Sequence, residues 1–132
     1  MAGIDLKQQI CSFVNSLDDN FHCKFGALLP DDSIVLNEVA GGQTTRVYMD
    51  DIKDMQLNYE FACKSRDIQK IELALNKIAI SVDNLNDLPS ENNSYEFDNI
   101  KTTSMPFPSA KDESGYFIYR LLIQAEITTI KN

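Results

Sequence analysis

The sequence lacks any apolar run close to the roughly 20 residues that a membrane-spanning helix requires. Its first twenty residues carry Asp5, Lys7, Asp18 and Asp19 among the apolar ones, unlike the uninterrupted apolar segment of a secretory signal peptide. Together these absences predict a protein that is made and kept in a reducing cytoplasm and has no membrane partner.

Cysteine and histidine are also scarce. Cys11, Cys23 and Cys63 are odd in number and form no CxxC pair, which argues against a disulfide framework and a zinc knuckle. We expect three reduced, mostly buried thiols. His22 is the only histidine, and Cys23 beside it on a strand would point to the opposite face. The sequence therefore predicts no catalytic residues, no metal site and no cofactor.

Clusters of basic residues and phosphate-binding loops are missing as well. The chain has 12 Lys and Arg against 20 Asp and Glu, and its net charge of −8 repels nucleic acid phosphates. Gly41-Gly42 lacks the GxxxxGK[ST] pattern and predicts a tight hairpin turn instead. The acidic pairs lack the spacing of a calcium loop and are expected to be solvated turn carboxylates. They are Asp18-Asp19, Asp31-Asp32, Asp50-Asp51 with Asp54, and Asp112-Glu113.

The composition that remains is that of a globular protein. The chain has 132 residues, of which 43% are hydrophobic and 24% charged, and this predicts one domain over 1–132. A domain near this size buries about two-thirds of its unfolded surface, so one core flanked by helices is feasible.

Periodicity predicts an α+β fold, with a mainly antiparallel sheet and two helices packed on one face. Helical spacing of apolar residues covers 4–20 and 66–83, with Ser65 as the expected N-cap of the second helix. Alternation and turn signals predict the strands, at 22–29, 33–39, 46–49, 55–64, 96–104 and 116–130. The prolines of 105–108 are expected to end the fifth of these strands, and 111–115 to form a charged turn.

Loops on a rigid sheet are where binding surfaces usually lie, and three segments are long enough to reach a neighbour: 40–56, 84–95 and 104–115. Tyrosine buries a large area at low entropy cost, so Tyr48 and Tyr95, beside loops, are candidate interface anchors. Asp50, Asp51 and Phe107 complete the predicted subunit interface. No sequence feature points to an enzyme.

Several local stretches resemble a bacteriophage "minor capsid protein" family, whose members look like tail terminators of long, non-contractile tails. The resemblance covers most of the chain, but residues 1–30 match only in having a helix. The stretches that carry it are Met49-Asp50-Asp51-Ile52 leading into 55–61, a helix around 71–78, Ser90-Glu91-Asn92-Asn93-Ser94-Tyr95-Glu96-Phe97, Thr103-Ser104-Met105-Pro106-Phe107, and Asp112-Glu113-Ser114-Gly115-Tyr116 before the last strand.

The resemblance implies a homo-hexameric ring in the virion tail, made in the cytoplasm of a bacterial host. Such a ring would cap the tail tube protein, end its polymerisation and present a surface to the head connector protein. DNA would pass through it without specific binding, and no catalytic residues are implied. Two alternatives stay open: another head–tail joining (neck) protein, and a small non-catalytic cytoplasmic protein-binding domain.

Overall fold

The computed structural model describes residues 4–17, 22–28 and 32–129. It confirms the α+β class, with two helices and a seven-stranded, mostly antiparallel sheet. The helices are α1 (Leu6–Asn15) and α2 (Ile68–Asp83). The strands are β1 (Cys23–Phe25), β2 (Ser33–Glu38), β3 (Gln43–Val47), β4 (Lys53–Ser65), β5 (Tyr95–Thr102), β6 (Phe107–Lys111) and β7 (Phe117–Thr129).

Several boundaries differ from the sequence prediction: the third predicted strand, 46–49, is observed as Gln43–Val47, and two further differences lie at the helix ends. The first helix ends at Asn15 rather than at residue 20, and residues 18–20 lie outside the described ranges. The N-cap of α2 is Asp67, whose carboxylate accepts hydrogen bonds from the backbone N–H of Gln69 and Lys70 at 3.0 and 3.3 Å. Ser65, the predicted cap, is instead the buried last residue of β4.

The frame of the sheet is the antiparallel pair of β4 and β7. Every residue from Asp54 to Ser65 has a partner on β7, between Thr128 and Phe117. Because side chains alternate between the two faces, one face is apolar and the other polar. The apolar face and both helices enclose one core. Its largest fully buried side chains include Leu6 and Ile10 of α1, Ile71, Leu75 and Val82 of α2, and Phe61, Leu121, Ile123 and Ile127 of the sheet.

The two flanks of this pair are each made of two strands in line. β2 pairs with the C-terminal half of β4 and β3 with its N-terminal half. Both run antiparallel to β4, so they follow the same edge of β4 in the same direction. β5 and β6 follow the edge of β7 in the same way. β1 lies within the strand predicted at 22–29, but it pairs with β2 in parallel, and this pairing was not predicted.

The predicted hairpin at Gly41-Gly42 is wrong. The backbone N–H of Val39 donates to the carbonyl of Asn58 at 3.0 Å, so the chain stays beside β4 and resumes in the same direction as β3. Gly41 has a φ of +103°, and a Cβ there would lie 2.7 Å from the side-chain nitrogen of Asn58. The glycines therefore form a short excursion within one edge, and the hairpin lies later, between β3 and β4.

The proline-rich segment interrupts the edge of β7 as predicted, since β5 ends at Thr102. Residues 107–111 nevertheless form β6, so the segment 104–115 is not simply a loop. Pro108 is accommodated because β6 is an outer strand and its register with β7 shifts between Pro108 and Ala110. The charged turn follows, closed by the N–H of Asp112 donating to the carbonyl of Tyr116 at 2.9 Å.

Candidate assembly surfaces

The three thiols are held inside the fold, whereas His22 is exposed. Cys11, Cys23 and Cys63 are buried free thiols, as the sequence predicted. Burial raises the pKa of the Cys63 thiol to about 12 and raises that of Cys23 as well. Within the described part of the chain, no three side chains among His, Cys, Asp and Glu are grouped closely enough to hold a metal ion.

An open groove of about 410 Å³ lies between the excursion at residues 39–42 and the apolar face of β4. Met55, Leu57 and Tyr59 line one wall, and backbone lines much of the other. Its carboxylate, Glu38, lies 3.8 Å from the amine of Lys7. The groove holds no second titratable group that could act with Glu38 on a substrate, apart from the buried hydroxyl of Tyr59.

The hairpin between β3 and β4, residues 47–52, is named here the hairpin tip. The N–H of Tyr48 donates to the carbonyl of Ile52 at 2.8 Å, and the N–H of Asp51 donates back to the carbonyl of Tyr48 at 3.1 Å. Asp51 has a φ of +66°, a left-handed conformation that aspartate tolerates better than most residues. The backbone of the tip is therefore hydrogen-bonded across the turn.

The hairpin tip exposes apolar side chains to solvent. Met49 is fully exposed, and Val47 and Tyr48 are 59% and 37% exposed. The Tyr48 hydroxyl donates to the carboxylate of Asp54 at 2.8 Å, and the guanidinium of Arg46 lies 5.0 Å from the centre of the Tyr48 ring. Exposed apolar side chains on an ordered turn are typical of surfaces that meet another protein.

Asp54 joins the hairpin tip to the frame of the sheet. Its carboxylate accepts a hydrogen bond of 2.7 Å from the hydroxyl of Thr128 on β7, in addition to that from Tyr48. These two hydrogen bonds lower the pKa of Asp54, because both stabilise the charged carboxylate. The side chain of Asp54 thus anchors the tip to the C-terminal end of β7.

The other predicted interface residues differ in their exposure to solvent. Asp50 and Asp51 are exposed on the hairpin tip with Tyr48, and Phe107 is 36% exposed at the start of β6, opposite Arg120. Tyr95 is wrong as a surface anchor. It is 2% exposed, and its hydroxyl donates to the carbonyl of Leu88 at 2.7 Å inside the same subunit. Tyr95 begins β5, where the register turns its ring toward the helices.

The polar face of the sheet carries hydrogen-bonded rows across β4 and β7. Glu60 forms an ion pair with Arg120, and the amide of Gln124 donates to the side chain of Asn58 at 3.2 Å. Alternation in the sequence predicted this wetter face. The sequence did not reveal the rows themselves, because each joins residues far apart in the chain.

A second surface lies at the opposite end of β4, around the turn between β6 and β7. Lys64, Arg66 and Lys111 surround the rings of Tyr116 and Phe117 there. We name these five residues the cationic end. Sequence inspection missed this cluster because its cations are scattered along the chain and only the pairing of β4, β6 and β7 brings them together.

These features define an α+β domain with buried thiols and with an ordered hairpin whose tip exposes apolar side chains. Comparison with known families agrees: a family model described as bacteriophage tail terminator protein matches residues 9–129. The chain belongs to this family of bacteriophage tail terminator proteins. A search of curated proteins finds no match.

Membership of this family makes the chain a phage tail terminator and a structural component of the virion, associated with other tail proteins. Such families are not normally catalytic. None of the helices within residues 4–17, 22–28 and 32–129 has the length and apolar character needed to span a bilayer.

Proposed function

We propose that this chain, acting as one domain, caps the tail tube of its phage as a homo-hexameric ring. The ring ends polymerisation of the tube protein and presents a second surface to the head connector. Membership of the tail terminator family is the observation that carries this proposal. It accounts for the absence of a predicted active site, because capping requires surfaces rather than reacting groups.

The shape of the subunit supports capping. A cap must stay rigid while it holds a growing tube, and the long pair of β4 and β7 provides such a frame. A cap must also expose contacts at its margins, and the hairpin tip does so with Val47, Tyr48 and Met49. Assembly proteins of this kind join by patches that lie on the outside of a folded subunit.

The net charge supports the passage of DNA through the ring. The chain carries −8 at neutral pH, and the polar face of its sheet bears carboxylates such as Asp54 and Glu126. A negatively charged lumen repels phosphates and gives DNA no site at which to adhere. The DNA of the phage then moves through the ring without being recognised by sequence.

Tube growth in the presence of the chain tests the proposal. Purified tail tube protein is polymerised with and without the chain, and tube lengths are measured by negative-stain electron microscopy. We expect shorter tubes with a ring at one end, whereas an unrelated acidic protein of similar mass leaves the lengths unchanged. Tubes of unaltered length, together with binding of the chain to isolated head connector, would favour the neck protein alternative.

The mass in solution separates the proposal from the remaining alternative. Light scattering after size exclusion, over a wide range of concentrations and with tube protein added, should detect rings of about six copies. A chain that stays monomeric or dimeric under all of these conditions would instead fit a small protein-binding domain.

A further inference from the structure

The hairpin tip and the cationic end lie at opposite ends of one strand. The tip leads directly into β4 at Lys53, and Arg66 directly follows its last residue, Ser65. A strand of this length spans about 40 Å at roughly 3.3 Å per residue. The two surfaces therefore cannot touch within one subunit, and any contact between them must join two copies.

The cationic end combines positive charge with aromatic surface. The amine of Lys64 and the guanidinium of Arg66 lie 4.9 and 4.6 Å from the centre of the Tyr116 ring. The amine of Lys111 lies 5.2 Å from the centre of the Phe117 ring. Cations against aromatic faces keep their charge and hold the rings in place.

Some charges at this end have partners in the same subunit. Lys64 lies 3.4 Å from the carboxylate of Asp112, whose pKa is lowered by the N–H of Tyr116 and by Lys64. Arg66 and Lys111 are exposed and have no carboxylate partner among the described residues. Their positive charge is therefore open to a partner. Glu113, exposed on the same turn, and Asp67, exposed beside Arg66, are opposing charges.

The hairpin tip has the complementary character. Asp50 and Asp51 are exposed and have no cation partner among the described residues, and Met49 beside them is fully exposed. Carboxylates suit the unpaired cations of the cationic end. The methionine sulfur suits an aromatic ring, because thioether contacts with aromatic edges are favourable.

We propose that the hairpin tip of one subunit docks on the cationic end of the next, with Asp50 and Asp51 facing Arg66 and Lys111 and Met49 against Tyr116. This inference rests on the proposed ring and names its subunit contact. A contact between two different patches of the same chain is head-to-tail, and repetition of it closes a ring when the rotation between subunits divides a full turn. Each subunit then offers one tip and one cationic end.

Charge reversal with rescue tests the contact. The tip variant carries Asp50→Lys and Asp51→Asn, since asparagine tolerates the left-handed φ at that position. The end variant carries Arg66→Glu and Lys111→Glu. Each variant should raise the concentration for half-maximal ring formation by about tenfold or more. The chain that combines all four substitutions should recover much of the wild-type assembly.

Control variants carry single charge reversals elsewhere on the surface. Lys77→Glu on the exposed side of α2 and Asp87→Lys in the loop after it should leave ring formation unchanged. Circular dichroism and thermal unfolding identify any variant that has lost its fold, and the combined variant must recover assembly from a folded state. Glu113→Gln removes one of the opposing carboxylates of the cationic end and should strengthen assembly.

Mixing provides an independent test that needs no reversed charges. A chain with Asp50→Asn and Asp51→Asn keeps its cationic end, and a chain with Arg66→Gln and Lys111→Gln keeps its tip. At a concentration at which the wild type forms rings, each alone should stay monomeric, and an equal mixture should give a discrete dimer of one of each. Light scattering with distinct mass tags on the two chains detects that species.

The outcomes separate this inference from the proposed function. If the tip and end variants form rings as readily as the wild type, the proposed contact is overturned, while the proposed capping ring is not. A combined variant that is folded but fails to assemble would also overturn the contact. If the wild-type chain forms no ring in solution or on tube protein, the proposed function itself fails.

Discussion

The carboxylate of Asp5, just before α1, accepts a hydrogen bond of 2.6 Å from the hydroxyl of Ser90, which lies 85 residues later in the chain. The same carboxylate accepts hydrogen bonds from the Ser94 hydroxyl at 3.1 Å and from the N–H of Glu91 at 2.9 Å. One side chain thus joins the start of the first helix to the loop that precedes β5. That loop is held from within the subunit, in contrast to the hairpin tip.

Replacing Asp5 by Asn should destabilise the protein, because the amide cannot accept all of these hydrogen bonds and carries no charge. We expect a loss of about 1–2 kcal/mol in the free energy of unfolding, measured by urea denaturation. Asp87→Asn, in the same loop, is the matched control, since the structure gives that carboxylate no hydrogen bond among the described residues. An equal loss in both variants would contradict the role of the network.

The contribution of Asp5 should depend on pH. Desolvation raises the pKa of this carboxyl, but the hydrogen bonds from Ser90, Glu91 and Ser94 outweigh it and hold the pKa below its ordinary value of 3.8. A carboxyl whose pKa is lower in the folded state stabilises the fold above its unfolded pKa and loses that effect as pH falls through the folded one. The difference between wild type and Asp5→Asn should therefore be full at pH 6 and shrink below about pH 3.8. If the difference in stability between wild type and Asp5→Asn grew on acidification, the lowered pKa of Asp5 would be contradicted.

Two leucines of α2 provide a paired test of the core. Leu75 is fully buried against the sheet, whereas Leu73, two residues earlier, is 73% exposed. Leu75→Ala should lower the free energy of unfolding by about 2–5 kcal/mol, because it removes buried methyl groups and leaves a cavity. Leu73→Ala should change it by about 0.5 kcal/mol or less. Chemical denaturation of both variants, with equal slopes against denaturant, checks the comparison.

The three thiols should be unreactive in the folded protein. Cys11, Cys23 and Cys63 are buried, and burial raises the pKa of Cys63 and Cys23, so little thiolate forms at neutral pH. A thiol reagent at pH 8 should label the native chain slowly and all three cysteines rapidly in denaturant. Rapid labelling of a single cysteine in the native state, located by mass spectrometry, would show local opening around that residue.

The parts of the fold that were predictable are those whose signal is local. Alternation predicted β4 and β7, and helical spacing predicted α2, because each element has one face in the core over many residues. The alignment of β2 with β3 and the parallel pairing of β1 were missed, since pairing partners distant in sequence leave no local pattern. Gly41-Gly42 shows the difficulty: two glycines indicate unusual backbone, but not whether the chain reverses.

The subunit interface itself stays a prediction, but the positions of its candidate residues in the fold can be compared with the sequence. The sequence analysis named Tyr48 beside a loop and the pair Asp50 and Asp51, and the structure places all three on one ordered tip. Tyr95 was misplaced because a tyrosine beside a polar loop has the same local sequence whether its ring turns inward or outward. The cationic end could not be found from the sequence, because it exists only once β4, β6 and β7 are paired.

The in-line arrangement of the outer strands has a consequence for how this chain can change over evolutionary time. Each flank of the central pair is interrupted once, at residues 39–42 and at 103–106, while β4 and β7 continue unbroken beside the gap. Residues added or lost at either interruption alter an exposed segment and leave the register of the long strands intact. The subunit thus has two positions at which insertions or deletions can change its surface to match a changing partner, while the core stays the same.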